Sequence, residues 1–409
     1  MSAIEGWQTH TLEECCDILD NKRIPINGEE RESRIGTVPY YGANGLQGYI
    51  DGFIFDEPLI LIAEDGGVFD EYATRPIAYK ISGKSWVNNH AHVLRAKASF
   101  DQDLIFYNLE HKDIQSYIVG GTRSKLNQGA LRQIEINLPE SLPEQAKIAE
   151  VLSTVDRAIA QTEALITKQQ RIKTGLMADL LTRGIDADGN LRSEATHAFK
   201  DSPLGRIPVE WEVKDLKSVG NWYSGGTPSR SNSENWGNEV PWVCPKDMKV
   251  FDLKTTIEKL TALGLKRGSR LLPAEAIFIV VRGMILAHTF PVCITNKPMA
   301  LNQDVKGIVT DPNVCSRFFA YWLSEHGQSL LKITTTATHG TKRFDMGELH
   351  AVDIAIPRLN EQNEIVRLIN EAEKLGINYQ SDLKKFRSLK AALMQDLLTG
   401  KVRVTTLLT

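Results

Sequence analysis

Leu176-Met177-Ala178-Asp179-Leu180-Leu181-Thr182 and Leu393-Met394-Gln395-Asp396-Leu397-Leu398-Thr399 are two copies of one ending. Upstream, Glu144-Gln145 answers Glu361-Gln362, and the offset is constant, because 361 − 144 and 394 − 177 both give 217. Two segments, Ser141 to Thr182 and Asn360 to Thr399, are therefore held to one length. Both read as long helices. In the first, Ser141 is a cap with Glu144 completing a capping box, and Pro143 falls in the first turn, where backbone donors lack intrahelical partners. Ile148, Leu152, Val155, Ile159, Thr162, Ile166 and Gln169 follow at three-and-four spacing. The second has Asn360 as its cap and the stripe Ile365, Ile369, Ala372, Leu375, Tyr379, Leu383, Phe386, Leu393 and Leu397. Gly184 and Gly400 terminate the two. Stripes this narrow are buried by a partner helix.

Ahead of each helix, short apolar runs such as Leu59-Ile60-Leu61-Ile62-Ala63 and Ala276-Ile277-Phe278-Ile279-Val280-Val281 alternate with Gly, Pro and Asn turns, the pattern of strands. The two regions correspond in order: Gly6-Trp7 with Glu210-Trp211, and Val38-Pro39-Tyr40 with Val240-Pro241-Trp242. Near their ends, Lys125 to Leu131 before Ile134, Ile136 and Pro139 matches Arg343 to Leu349 before Val352, Ile354 and Pro357. The chain reads as a tandem duplication of domain plus helix, of α/β (α+β) class with small β-rich sheets. The expected layout is a first domain over 1–140, a helix over 141–184, a connector and second domain over 185–358, and a helix and tail over 359–409. Each helix starts at the domain the other one reaches, so the pair is expected to be antiparallel, with an internal pseudo-two-fold. About 40 residues at ~1.5 Å rise make a ruler of roughly 60 Å.

A hydrophobic fraction of 42% and a charged fraction of 24% over 409 residues exclude a disordered chain and allow two domains with cores. Five cysteines without Cys-x-x-Cys spacing suggest neither a disulfide framework nor a zinc site. The N-terminus lacks a basic region followed by an apolar run, and the longest apolar stretch stops at Arg282, so a soluble, cytoplasmic protein with no membrane partner is expected. A net charge of −3 argues against an isolated nucleic-acid binder, although acidic helices can dilute a local basic patch.

Catalytic signatures are absent. The one P-loop echo, Gly83-Lys84-Ser85, has Ala78 where the first glycine belongs, and no Gly-x-Gly-x-x-Gly, His-Glu-x-x-His or Gly-x-Ser-x-Gly occurs. The Asn/Asp-Pro-Pro-aromatic tetrad of adenine methyltransferases is missing too. No catalytic residue, metal ligand or cofactor site is expected in this chain. What remains is a set of loops combining glycine, hydrogen-bonding side chains and positive charge. The first half offers Lys22 and Arg23, Tyr41 and Asn44, then Thr122, Arg123 and Lys125. The second offers Ser224, Thr227 and Ser229, Lys246, Arg282, and His339, Thr341, Lys342 and Arg343. Glycine lets the backbone approach phosphate, cations fix register, and Arg, Asn or Gln can bond two edge atoms of a base. A lone basic turn is usually just solvated, but this charge recurs beside glycine in both halves. Asn88-Asn89-His90 and Asn302-Gln303 read equally well as turns or as base readers.

Gly205-Arg206-Ile207-Pro208 before Trp211 and Leu216, then Ser224-Gly225-Gly226-Thr227-Pro228-Ser229, with Leu142-Pro143-Glu144-Gln145 and the duplicated Leu-Met-x-Asp-Leu-Leu-Thr, give the chain a family resemblance. It resembles a specificity subunit of a type I restriction-modification enzyme. That resemblance implies two target recognition domains, each reading one half of a split, asymmetric site in double-stranded DNA. It also implies helices that set the gap and dock two modification subunits, here through Glu144, Gln145, Leu176, Leu180, Glu361, Gln362, Leu393 and Leu397. S-adenosylmethionine, ATP and Mg are then expected on the modification and restriction subunits. The rival readings are a coiled-coil scaffold with protein- or glycan-binding heads, and a stand-alone nuclease or methyltransferase with an unfamiliar motif.

Overall fold

The computed structural model describes residues 4–120, 124–336 and 340–408. The chain forms two compact units, Met1–Ala164 with Gln380–Thr409, and Leu165–Tyr379. Both long helices are present, Leu142–Thr182 and Leu359–Leu397, and each unit takes a part of both.

In unit one, the sheet Cys16–Ile18, Ala91–Ala96, Leu59–Ala63, Ala78–Ile81 lies beside a second sheet, Gly45–Ile50, Val38–Gly42, Lys84–Val87, Phe55–Asp56. The all-apolar run 59–63 is central to its sheet and wholly buried, as a strand covered on both faces must be. Trp7–Thr11 pairs with Glu135–Pro139 just ahead of the first long helix. Unit two repeats the plan. Gly220–Ser224, Val305–Thr310, Ile277–Val280, Val292–Thr295 and Asp252–Leu253 form one sheet, and Lys259–Leu260, Trp236–Val243, Met299–Leu301 and Arg270–Leu272 the other. Glu212–Asp215 then pairs with Asp353–Ile356. The second sheet of each unit holds a parallel pair, Tyr40 beside Trp86 and Trp242 beside Ala300. This is the register in which Val38-Pro39-Tyr40 answers Val240-Pro241-Trp242.

Within each unit the two long helices run antiparallel. Glu144, Asp156 and Glu163 of the first meet Arg403, Lys390 and Arg387 in falling order, and Gln169 donates to the Ala372 carbonyl in unit two. Ile148, Leu152, Val155, Thr162 and Gln169 are buried, as are Ile365, Ile369 and Leu397. Leu375, which its spacing assigns to the stripe, is 40% exposed. The first helix opens with the Glu144 amide on Ser141 Oγ at 3.4 Å, but the Glu144 carboxylate turns to Arg403, so only half of a capping box forms. Asn360 is no cap: the second helix already starts at Leu359. Gly184 and Gly400 end the helices at φ 60° and 68°. At Gly184 a Cβ would lie 2.1 Å from a Glu361 oxygen and 2.5 Å from Trp211, so space as well as conformation demands glycine. The connector is ordered by Arg192, whose guanidinium holds both Glu361 oxygens.

Candidate nucleic-acid interface

In unit two, the loop before the helix Met346–His350 is threaded against the end of a central strand. Phe344 N–H donates to Val281 at 3.0 Å and Gly283 N–H to Lys342 at 3.0 Å, while Arg282 and Arg343 pair through their backbones. Two guanidinium groups are thereby brought to one cleft of about 490 Å³, which Gln303, Lys306 and Asp345 also line. Lys306 donates to Ser224, and Thr227 to Gln303, which attaches the loop from Ser224 to Ser229 to the same rim. Asp345 spends its carboxylate on the Gly347 and Glu348 amides of the helix it caps. Among the described residues, Arg282, Lys306 and Arg343 have no acidic partner, whereas Arg230, Arg267 and Arg317 of the same unit are each paired. Burial holds the Lys306 ammonium below its ordinary pKa. Burial, with Lys217 and Lys306 nearby, does the same to His350. Three unpaired cations in a polar cleft constitute a site for an anion.

The remaining unit-two candidates are dispersed. Ser229 bonds Ser231 at 2.8 Å on an exposed loop, Lys246 is exposed elsewhere, Thr341 and Lys342 precede Arg343 in the chain but do not line the cleft, and His339 lies outside the described residues. Lys306 is the residue that sequence reasoning missed. Its signal was its place in Val305–Thr310, where buried neighbours on either side mark it as the outward position.

Unit one differs. Arg23, expected at the DNA, is turned inward: its Nη1 lies 2.9 Å from Glu64 and 2.7 Å from the Ala91 carbonyl, so its guanidinium is engaged within the unit. Its charge is used to close a buried network in which His92 Nδ1 lies 2.6 Å from Asp20 and its Nε2 2.8 Å from the Leu126 carbonyl. Burial is the largest single influence and opposes the Asp20 charge, but His92, the Val93 amide and Arg23 together outweigh it and keep this carboxyl below its ordinary pKa. Asp20, Glu64 and His92 fall within 4.8 Å of one another, a spacing that could suit a metal. Both ring nitrogens already bond protein acceptors and Arg23 covers Glu64, so the cluster is a satisfied ion network. Lys125 pairs with Glu64 at 3.2 Å. Tyr41 is half-buried against Tyr79, with ring centres 6.1 Å apart. Asn44 sits on the hairpin turn with its amide on the Gly66 carbonyl at 3.1 Å, Lys22 is exposed, and Thr122 and Arg123 lie outside the described residues.

The asparagines prove to be turn residues. Asn88 and Asn302 each accept the amide two residues on, from His90 at 2.8 Å and Asp304 at 3.0 Å. All five cysteines are free, and burial pushes the Cys15 and Cys244 thiols up to about 12 and about 11, far from a reactive thiolate.

The sequence matches the family described as Type I restriction modification DNA specificity domain over residues 4–171 and again over 208–384, one match for each half of the duplication. The chain belongs to that family. This specificity-family chain is 30% identical over 197 residues to the EcoR124I/EcoR124II specificity subunit of Escherichia coli, a stretch covering 48% of this chain and 49% of that one. The match thus spans about half the length of that relative. It is 25% identical over 334 residues to the MjaVIII specificity subunit of Methanocaldococcus jannaschii, covering 77% of this chain and 73% of the other. The crystal structure of the type I S subunit from M. genitalium shares the fold, with a TM-score of 0.60 at 13% identity, over 97% of this chain and 98% of that one.

Within this specificity-family fold, the residues expected to face partner subunits turn inward. Gln145 bonds the Asp101 amide and the Pro139 carbonyl, each at 2.8 Å, and Gln362 bonds the Cys315 amide at 2.7 Å and the Pro357 carbonyl at 2.8 Å. Asp101 and Cys315 are the N-cap residues of equivalent helices, so each glutamine clasps its own domain to its own long helix. Glu144 and Glu361 are held by Arg403 and Arg192. Leu180 and Leu397 are buried, and Leu176 and Leu393 pack on the same cores. The matched large apolar positions left exposed on the helices are Leu142 with Leu359 at their first residues, and Ile172 with Leu389 further along.

Proposed function

We propose that this chain is the DNA-recognition subunit of a type I restriction-modification complex. Each of its two domains reads one half of a bipartite, asymmetric site in double-stranded DNA. The paired helices set the gap and dock two methyltransferase subunits, to which a restriction subunit is added. The chain carries no catalytic group of its own, S-adenosylmethionine, ATP and Mg belong to the partner subunits, and the assembly works in the cytoplasm. Among the described residues no helix is long and apolar enough to cross a membrane.

The observation that carries the reading is the repetition of one sheet plan on an antiparallel helix pair, with different side chains at the equivalent rims. Two copies of one fold can hold two copies of one partner, while unlike rims read unlike half-sites. The convergence of Arg282, Lys306 and Arg343 supports phosphate and base-edge contact in unit two. The test is co-expression with a modification subunit and mapping of methylated adenines across a genome at single-base resolution. A split, asymmetric motif that appears only with this chain is the expected result. A soluble complex that adds no motif would refute the reading.

A further inference from the structure

Each compact unit holds one lysine against a carboxylate and a tyrosine at the same structural address. In unit one, Lys390 of the second long helix places Nζ 2.8 Å from Asp156 of the first and 2.8 Å from Glu110. Glu110 ends the short helix Gln102–Glu110, and Tyr107 of that helix donates its hydroxyl to the other Asp156 oxygen at 2.8 Å. In unit two, Lys173 of the first long helix pairs with Glu373 of the second at 2.5 Å, and Tyr321 of the short helix Ser316–Glu325 donates to the other Glu373 oxygen at 2.9 Å.

The correspondence is internal to the sequence. The lysines differ by 390 − 173 = 217 and the carboxylates by 373 − 156 = 217, whereas the tyrosines differ by 321 − 107 = 214, the offset that also separates Asn88 from Asn302. The helix that supplies the lysine in one unit supplies the carboxylate in the other.

An apolar stripe tolerates sliding, because one aliphatic contact replaces another at little cost. A lysine paired across the helices with a carboxylate does not. One residue of slip moves its partner by ~1.5 Å along the axis and ~100° around it, which breaks a contact of this length. Such pairs contribute little net stability against an apolar replacement, and their best-attested use is to fix register. Each triad also reaches a third helix, the one belonging to the recognition domain.

We propose that Lys173-Glu373-Tyr321 and Lys390-Asp156-Tyr107 are positioning devices. Each pins one recognition domain and both long helices in a single register, and so narrows the gap the subunit accepts between half-sites. The inference rests on the specificity function proposed above. The direct test uses the assembled methyltransferase complex carrying K173M, K390M, Y107F or Y321F. Methylation is measured on a DNA library in which the two half-sites are separated by the native gap and by gaps one or two base pairs longer or shorter.

The half-site sequences stay the same. Methylation at off-length gaps relative to the native gap rises about tenfold in the lysine variants, the size of a lost coupling between contacting residues, and less in the tyrosine variants. K390R, which keeps the charge, restores part of the discrimination. A gap profile identical to the parent's would overturn the proposal, and so would methylation lost in equal proportion at every gap, the mark of a merely structural role. If the lysine variants fail to assemble, the tyrosine variants, each lacking one hydroxyl, decide by the same profile. Failure of the specificity reading is separately visible, because the unmutated chain would then direct no bipartite methylation.

Discussion

Arg403→Met tests how the tail is tied to the first long helix. The Glu144 carboxylate is 1% exposed and receives two bonds from the Arg403 guanidinium, both 2.7 Å. Losing one partner of a buried pair costs ~3–5 kcal/mol, because the other charge stays buried without compensation. Arg403 itself is 34% exposed, so water already screens one side of this pair and the loss falls at or below the low end, about 2–3 kcal/mol. At ~2–4 °C per kcal/mol for a unit of this size, the transition of unit one should drop by roughly 5–10 °C. Calorimetry of the full chain reads this, with the transition of unit two as internal reference. Two controls sharpen the test. Arg192→Met should shift unit two less, because Glu361 keeps the Ile185 amide at 3.1 Å and the Trp211 indole at 3.3 Å. The double variant E144Q/R403M should regain much of the loss, since no charge is left unpaired. A shift of under about 1 °C for R403M, or a double variant as unstable as the sum of the singles, would refute the account.

Arg282→Ala and Arg343→Ala should each weaken DNA binding by the assembled complex by ~1–3 kcal/mol if a base is read and by less if only phosphate is touched; unchanged affinity in both removes the cleft from the interface. Deleting four residues around Ala164, and the matching four around Ser381, shortens the paired helices by about 6 Å and should shorten the preferred gap by about two base pairs, so an unaltered methylated motif refutes the ruler. Burial lowers the pKa of His326, and burial with Lys217 and Lys306 that of His350, relative to the ordinary 6.5. The unfolded chain therefore binds more protons just below pH 6.5, so unit two keeps its full stability above that pH and loses it as pH falls toward the folded values. H326F and H350F should each flatten that slope in calorimetry run between pH 7 and 5, and slopes equal to the parent's would show that neither histidine carries it.

The duplication and the antiparallel helices were legible because matched residues at a fixed offset survive any change in the loops between them. The second sheet could be anticipated from Val38-Pro39-Tyr40 and Val240-Pro241-Trp242, since both copies enter the same parallel pairing. The fate of individual charges was not legible. Arg23 and Arg282 look alike in the sequence, each in a short loop, and what separates them is an acidic partner: Arg23 has Glu64, while Arg282 has none among the described residues. Gln145 and Gln362 look like a repeated docking surface, yet their repetition serves the chain's own backbone at Asp101 and Cys315. The lysine triads escaped notice because their tyrosines keep a different offset from the helices and join them only in three dimensions.

The contrast between the two rims bears on the order of events on DNA. With a net charge of −3 the chain as a whole does not attract a polyanion, so the first contact falls to whatever cations are left uncompensated. Among the described residues, Arg282, Lys306 and Arg343 are in that state, while in unit one Arg23 pairs with Asp20 and Glu64, and Lys125 with Glu64. On the function proposed above, the second unit would be the landing gear. The first unit would then meet its half-site as a tethered reader at high effective concentration. Added salt should then slow the landing far more than it blurs the reading.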